Sequence, residues 1–252
     1  AYTIEREFSR RGYEVILCNT GGDRAETLRY LQAVNQKQVD GIVLVGSVFD
    51  TICQGAEMEK LLSGVPVVLA NGKLDLPNAY SVTVDDKYGV SLAVEHLVAR
   101  GRKNIYYIKD RDTDSAKSKR DGFLEAMRRN GLEFADHVLE AGETLASGME
   151  TVQALLAQGI VPDGIVCGED LTAAGALKAL LRAGLRVPGQ VAVVGFNNSD
   201  YAHLCEPVLT SVDNKPEQVA LLCVQLLESS IERSEAYSSV VLQPELAQGE
   251  TS

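Results

Sequence analysis

The sequence VDGIVLV at residues 39–45 indicates the fold class of this chain. Its last four residues are all apolar, which suits a strand with both faces buried, as in a parallel sheet covered by helices. Similar short apolar runs recur at residues 65–70, 104–108 and 164–167, and stretches with helical periodicity separate most of them. Strands that alternate with helices at such intervals predict an α/β fold with doubly wound parallel sheets.

The predicted elements follow from this alternation and from the Gly and Pro residues that punctuate it. Strands are predicted at residues 13–18, 41–45, 65–70, 81–84, 104–108, 138–140, 164–167, 191–195, 209–212 and 239–242. Helices are predicted at residues 24–36, 90–100, 119–130, 147–158, 172–183 and 217–231. Residues 1–6 also have the character of a helix interior. Because a doubly wound sheet usually opens with a strand, we expect that at least one strand precedes residue 1.

Composition narrows the class of protein. The 252 residues are 45% hydrophobic, which is enough for a substantial core and too much for a disordered chain. The net charge of −11 predicts that this chain alone does not bind nucleic acid tightly. Five cysteines without CxxC spacing indicate reduced thiols in a cytoplasm. We expect no membrane span and no signal peptide.

Motifs for catalysis and for cofactor binding are absent from the sequence. It contains no GxGxxG, GxxxxGK[ST] or GxSxG string. His96, His137 and His203 lie far apart and are expected to be packing or surface residues. The pair Asp85-Asp86 is expected to cap a helix or to be solvated, rather than to bind a metal. We therefore predict no catalytic residue, no metal site and no cofactor.

Short strings with characteristic spacing run along nearly the whole chain. They are VDGIVL at 39–44, VPVVL at 65–69, SVTVDD at 81–86, AVEHL at 93–97, GFLEAM at 122–127, VVGF at 193–196 and PVLTSV at 207–212. In order and spacing they resemble the LacI/GalR family of bacterial transcriptional regulators. The closing segment, from PEL at 244–246 to ETS at 250–252, is similar to the end of that family as well.

The resemblance implies a known architecture, the type I periplasmic-binding-protein-like fold. Two Rossmann-like lobes face each other across a cleft, and the chain crosses between them three times. Mapped here, one lobe comprises residues 1–101 and 213–234, and the other comprises residues 102–212 and 235–252. The resemblance further implies a small-molecule effector (a carbohydrate or related metabolite), a homodimer, and operator DNA bound by an N-terminal helix-turn-helix that these residues do not contain.

The resemblance also implies effector-binding positions between residues 88 and 120. The arginine that the family places three residues before Gly-Phe corresponds to Lys119, with Arg120 one place away. A lysine supplies a point charge without the bidentate fork of arginine. Ser115, four residues earlier, matches a hydroxyl position, and Tyr88 matches a position that lines the cleft.

Four further positions follow from the same alignment. Glu169 takes the place of a family asparagine, and the next residue, Asp170, is expected to cap the helix that follows. Asn197 replaces an aspartate that accepts ligand hydrogen bonds, so it keeps an acceptor and loses the charge. Glu143 matches a position for an aromatic residue, and Asn214 lies at the last crossover. The added carboxylates lead us to expect an effector with a polar or ionic group, such as an amine or a modified sugar.

Two other functions are compatible with the predicted fold. A periplasmic sugar-binding protein of a transporter shares this architecture, although the free cysteines and the LTSV string at 209–212 argue against it. An enzyme on a doubly wound scaffold has no supporting motif. We therefore predict the ligand-sensing domain of a LacI-type regulator, with the transport protein as the alternative.

Overall fold

The computed structural model describes residues 1–232 and 238–252, which form two compact α/β units. The first unit comprises Ala1–Val84 and Lys215–Leu242, and the second comprises Asp85–Asn214 and Gln243–Ser252. The helices are α1 Tyr2–Arg10, α2 Arg24–Gln36, α3 Phe49–Ile52, α4 Ala56–Leu62, α5 Asp86–Ala99, α6 Asp114–Arg129, α7 Leu145–Ala157, α8 Asp170–Arg182, α9 Asp200–His203 and α10 Pro216–Glu232. The strands are β1 Ile42–Val45, β2 Val67–Ala70, β3 Ala79–Val84, β4 Ile105–Lys109, β5 Val138–Glu140, β6 Gly164–Cys167, β7 Ala192–Phe196, β8 Thr210–Asp213, β9 Val240–Leu242 and β10 Glu245–Ala247.

The sheet of the first unit is parallel, with the strand order β1-β2-β3-β9. The residues of strand β2 are all apolar because they pack on both sides of the sheet. Val68 packs in a cluster with residues of α1 and α10, whereas Val67 and Leu69 pack in another cluster that includes Met58 of α4. Both faces of the strand are therefore buried, as the continuous apolar run predicted.

The sheet of the second unit has the order β10-β8-β7-β6-β4-β5 and is parallel except for β10, which pairs antiparallel with β8. Val166 belongs to a core cluster that contains residues of α5 and α6. Its neighbours Ile165 and Cys167 belong to a cluster with residues of α7 and α8. Helices thus cover both faces of this sheet, and the predicted doubly wound α/β class is confirmed.

The division into units differs from the predicted lobe boundaries. Helix α5 falls in the second unit, because its residues Val90, Val94 and Leu97 pack with Phe123 of α6 in one core cluster. The division therefore comes after Val84, whereas the sequence interpretation placed it after residue 101. The predicted boundary at residues 234 and 235 lies outside the described residues.

Two local expectations differ from the structure. Residues 13–18 were predicted as a strand, yet they are not a strand, and no ladder involves them in the part of the chain that is described. A strand forms only where a neighbour satisfies its backbone groups. Helix α6 begins at Asp114, five residues before its predicted start, because the Thr113 side chain accepts a hydrogen bond from the Ala116 N–H and caps the helix.

Candidate functional site

The candidate site lies at the carboxyl ends of the parallel strands of the second unit. Asp110 directly follows β4, Gly168 and Glu169 follow β6, Asn197 follows β7, and Asn214 follows β8. Parallel strands end at the same edge of a sheet, and in open α/β sheets this edge is where ligands bind. The topology therefore gathers four polar residues that are far apart in sequence, namely Asp110, Glu169, Asn197 and Asn214.

Lys119 is the cation at the centre of this site. Its side chain extends from α6 and is only 6% exposed. The ammonium donates to the Gly168 carbonyl oxygen at 2.9 Å and to Glu169 Oε1 at 3.3 Å, and it lies 3.9 Å from the centre of the Phe196 ring. The ammonium therefore has two hydrogen-bond acceptors and one aromatic ring as its neighbours, and the ring attracts a cation through its electron-rich face.

A chain of hydrogen bonds continues from Glu169 across the strand ends. Asn197 Nδ2 donates to Glu169 Oε2, and Asn214 Nδ2 donates to Asn197 Oδ1 at 2.7 Å. Asn197 has a φ of 106°, a backbone conformation that residues other than glycine adopt only at a cost in free energy. We call the residues Lys119, Glu169, Asn197 and Asn214 the polar chain. Four of the seven predicted site residues are joined in it.

Ser115 belongs to a neighbouring contact in the first turn of α6. Its Oγ donates to a carboxylate oxygen of Asp86 at 2.6 Å. Burial raises the pKa of Asp86, while the Lys119 charge and the Ser115 hydroxyl act against that rise. The charge of Lys119 is thus felt at Asp86, which connects this pair electrostatically to the polar chain.

Asp86 is a site residue that the sequence interpretation missed. The expectation that the Asp85-Asp86 pair caps a helix is correct for Asp85, whose side chain accepts from the Tyr88 N–H at the start of α5. The side chain of the second aspartate bonds instead to Ser115, on the next helix along the chain. Only the packing of α5 against α6 brings the two together, so no local signal in the sequence identified the contact.

Asp170 does not cap α8, contrary to expectation. The N-cap position is Glu169, which makes no capping bond, and Asp170 is 1% exposed. Its carboxylate accepts from the N–H and Oγ of Ser199 and from the Oγ of Ser211. Burial raises the pKa of Asp170, and these three donors act against the rise. The residue therefore ties the loops after β6 and β7 to β8 and holds the polar chain in place.

A second buried carboxylate lies beneath Gly168. Asp110 accepts from the Thr172 hydroxyl at 2.8 Å, and burial together with the Glu169 charge raises the pKa of Asp110. Asp110 Oδ1 and the Tyr107 hydroxyl lie 3.0 Å and 3.1 Å from the point that a Cβ on Gly168 would occupy. Tyr107 is fully buried, and its hydroxyl has no hydrogen-bond partner among the described residues.

The remaining two predicted site residues lie apart from the polar chain. Tyr88 is 44% exposed, and the Glu143 carboxylate pairs with Arg111 at 3.1 Å. Within residues 1–232 and 238–252, no hydrogen bond or ion pair joins either of them to the polar chain. Their role as effector-binding residues remains a prediction.

The chemistry available at this edge is hydrogen bonding and charge pairing. In the described part of the chain, no three His, Cys, Asp or Glu side chains are grouped so as to hold a metal ion. All five cysteines are free, and burial raises the pKa of Cys167 well above its ordinary value, which keeps that thiol protonated. Among the helices described, none combines the length and apolar character of a membrane span.

Comparisons with known proteins agree with this fold. Residues 94–252 match the periplasmic binding protein-like domain family. An HTH-type transcriptional regulator of Lachnoclostridium phytofermentans is 32% identical over 90% of this chain and 69% of its own length. The ribose operon repressor of Halalkalibacterium halodurans is 31% identical over 92% of this chain and 68% of its own length.

A solved structure of a transcriptional regulator has the same fold. The transcriptional regulator CelR in complex with cellobiose superposes with a TM-score of 0.88, at 27% identity, over 99% of this chain and 77% of that one. The fold and the strand-edge site define the class as an effector-binding domain of the type I periplasmic-binding-protein-like fold. Within that class, the chain belongs to the LacI family of transcriptional regulators, as the resemblance of its sequence predicted.

Proposed function

We propose that this chain is the effector sensor of a LacI-type repressor. It binds a small hydroxylated metabolite at the carboxyl edge of the second sheet and thereby changes the affinity of the regulator for operator DNA. The observation that carries the proposal is the polar chain, in which the Lys119 ammonium holds Glu169 so that a carboxylate and two amides lie along one edge. Such a set supplies both donors and acceptors to a hydroxylated ligand.

The names of relatives support a carbohydrate or related metabolite as the class of effector. One relative is a ribose operon repressor, and one structural neighbour is a regulator bound to cellobiose. The curated relatives are named as regulators, which favours the regulator over the transport component and over an enzyme. A regulator that reads an operator acts in the cytoplasm, so the proposal includes that location.

The regulatory step follows from differential affinity. A ligand shifts a protein between two conformations only by binding one of them more tightly. The proposal includes the prediction that the effector lies between the two units and favours one arrangement of them. In a homodimer this shift would move paired DNA-binding heads relative to operator half-sites.

A thermal-shift screen of the chain tests the proposal. The panel contains sugars, sugar phosphates, amino sugars and nucleobases. A ligand at 100 times its dissociation constant adds about 2.7 kcal/mol of stability, which raises the midpoint of a domain this size by roughly 5 to 10 °C. We expect a hit that is lost in Glu169→Gln and in Asn197→Ala.

The control is Glu150→Gln, the same chemical change at an exposed position of α7. This variant should keep the full shift. A hit that survives both site substitutions would move the binding site away from the polar chain, and a panel without any hit would contradict the proposed class of effector.

A further inference from the structure

The balance of charge in the candidate site carries an inference about the effector itself, which rests on the proposed function. Lys119 is 6% exposed, and its ammonium donates to the Gly168 carbonyl oxygen and to Glu169 and lies over the Phe196 ring. An anionic ligand would have to break these contacts to reach the ammonium. Lys119 therefore serves to position Glu169 and is not free to bind phosphate or carboxylate.

The other cations near this edge are also paired. Lys109, at the end of β4, is 10% exposed and lies 3.2 Å from Glu140 and 3.5 Å from Asp112. Arg111 pairs with Glu143 at 3.1 Å. Both cations are thus neutralised by carboxylates outside the polar chain, and neither provides a surplus of positive charge for a ligand.

Carboxylates outnumber cations around Lys119. Asp86, Asp110 and Glu169 all interact electrostatically with one another or with this single ammonium. Asp86 and Asp110 each hold one hydroxyl donor, from Ser115 and Thr172 respectively. Burial and the neighbouring negative charge raise the pKa of both aspartates, which means that their ionised forms lack sufficient compensation.

A buried hydroxyl without a partner points to the same place. Tyr107 is 0% exposed, and its oxygen lies beside Gly168, as does Asp110 Oδ1. No described residue hydrogen-bonds to this hydroxyl. A buried polar group without a partner costs free energy, and a bound molecule or water that reaches it would remove that cost.

We infer that the effector of this protein is a cationic amine that also carries hydroxyl groups, that Glu169 pairs with its ammonium group, and that the negative charges of Asp86 and Asp110 favour its binding. An ammonium compensates the surplus of negative charge and donates hydrogen bonds to carboxylate oxygens. A neutral polyol donates hydrogen bonds without compensating the charge. A phosphate or carboxylate would be repelled, because no cation of the site is free to pair with it.

The test uses sets of probes that differ in one group. Glucosamine is compared with glucose and with N-acetylglucosamine, glucamine with sorbitol, and glucose 6-phosphate serves as the anionic probe. Binding to the 252-residue chain is measured by isothermal titration calorimetry at neutral pH. We expect the amine to bind at least tenfold more tightly than its neutral counterparts in at least one set, and glucose 6-phosphate to bind more weakly than glucose.

Variants assign the preference to the carboxylates. Glu169→Gln should reduce the preference for the amine to less than threefold, whereas Glu150→Gln should leave it unchanged. Circular dichroism of each variant without ligand establishes that it is folded. If Glu169→Gln does not fold, Asp86→Asn provides the same comparison, because it removes one carboxylate and leaves the Lys119–Glu169 pair in place.

The outcomes separate the two proposals. A neutral sugar that binds more tightly than its amine counterpart, and that loses affinity in Asn197→Ala, would overturn the amine inference and leave the proposed function standing. An amine preference that persists in both carboxylate variants would also overturn the inference. The absence of binding by both amines would overturn the amine inference, while the proposed function would still be decided by the wider thermal-shift screen.

Discussion

Replacing Gly175 with alanine tests how closely α7 and α8 must pack to hold the site. Helix α8 begins directly after Glu169, so its position determines where that carboxylate lies. A Cβ on Gly175 would lie 2.2 Å from the Leu145 carbonyl oxygen and 2.9 Å from the Met149 backbone nitrogen. Both atoms belong to the backbone of α7, so no side-chain rotation can relieve the clash.

The expected loss of stability follows from this distance. Ordinary contact begins at 3.4 Å, so the added carbon is 3.4 − 2.2 = 1.2 Å too close. Overpacking of a core costs about 1–3 kcal/mol, and contact with rigid backbone places this case near the upper value. Alanine regains about 1 kcal/mol of helix propensity over glycine. The net destabilisation is about 2 kcal/mol, which lowers the thermal midpoint by roughly 4 to 8 °C.

Urea and thermal unfolding, followed by circular dichroism, measure this effect. Gly64→Ala is the control, because its added Cβ meets nothing within 4 Å and its φ lies outside the left-handed region. The control should unfold within about 0.5 kcal/mol of the parent, as surface substitutions usually do. If Gly175→Ala were as stable as Gly64→Ala, the close approach of α7 and α8 would not exist.

Three further predictions concern buried polar groups. Asp110→Asn keeps an acceptor for Thr172 and removes a buried charge, so the stability of the variant relative to the parent should grow as pH rises through the raised pKa of Asp110. Urea unfolding at several pH values measures this difference, and a difference that stays constant with pH would refute the prediction. Burial and the Arg100 charge lower the pKa of His96 from 6.5 to about 4, so the parent should lose stability as pH falls from 6.5 towards 4. An NMR titration of the His96 ring with a midpoint above 6 would contradict this prediction. Ser115→Ala removes the hydroxyl donor of Asp86 and should lower the free energy of unfolding by about 1 kcal/mol. It should also raise the pKa of Asp86 further, which carboxyl-carbon NMR measures.

Several candidate residues were predicted from the resemblance, and some of them also stand at positions that local sequence marks. Glu169 and Asn197 directly follow apolar runs, and the end of a buried parallel strand is where such a residue meets a ligand. Lys119 was identified because the resemblance places a family arginine three residues before Gly122-Phe123. Short motifs and their spacing are local, so a resemblance of this kind can be recognised without knowledge of the tertiary structure.

The hydrogen-bond and ion-pair partners of the polar residues could not be predicted from the sequence. Asp170 was expected to cap α8, but Ser199 and Ser211, which are distant in sequence, satisfy its carboxylate. The ion pair between Glu143 and Arg111 was not predicted either, and the role of Glu143 in effector binding stays a prediction. Each partner comes from a different strand end or loop, and the adjacency of strand ends depends on the strand order of the sheet.

By itself, the sequence determined that the chain is α/β and that its central strands are buried on both faces. These properties depend on apolar periodicity, which is local. Only the tertiary structure decided that α5 belongs with the second unit, that Asp86 meets Ser115, and that Tyr107 lies beside Asp110 without a hydrogen-bond partner among the described residues. Such contacts arise when distant segments pack, because burial and pairing of charge are properties of the assembled core.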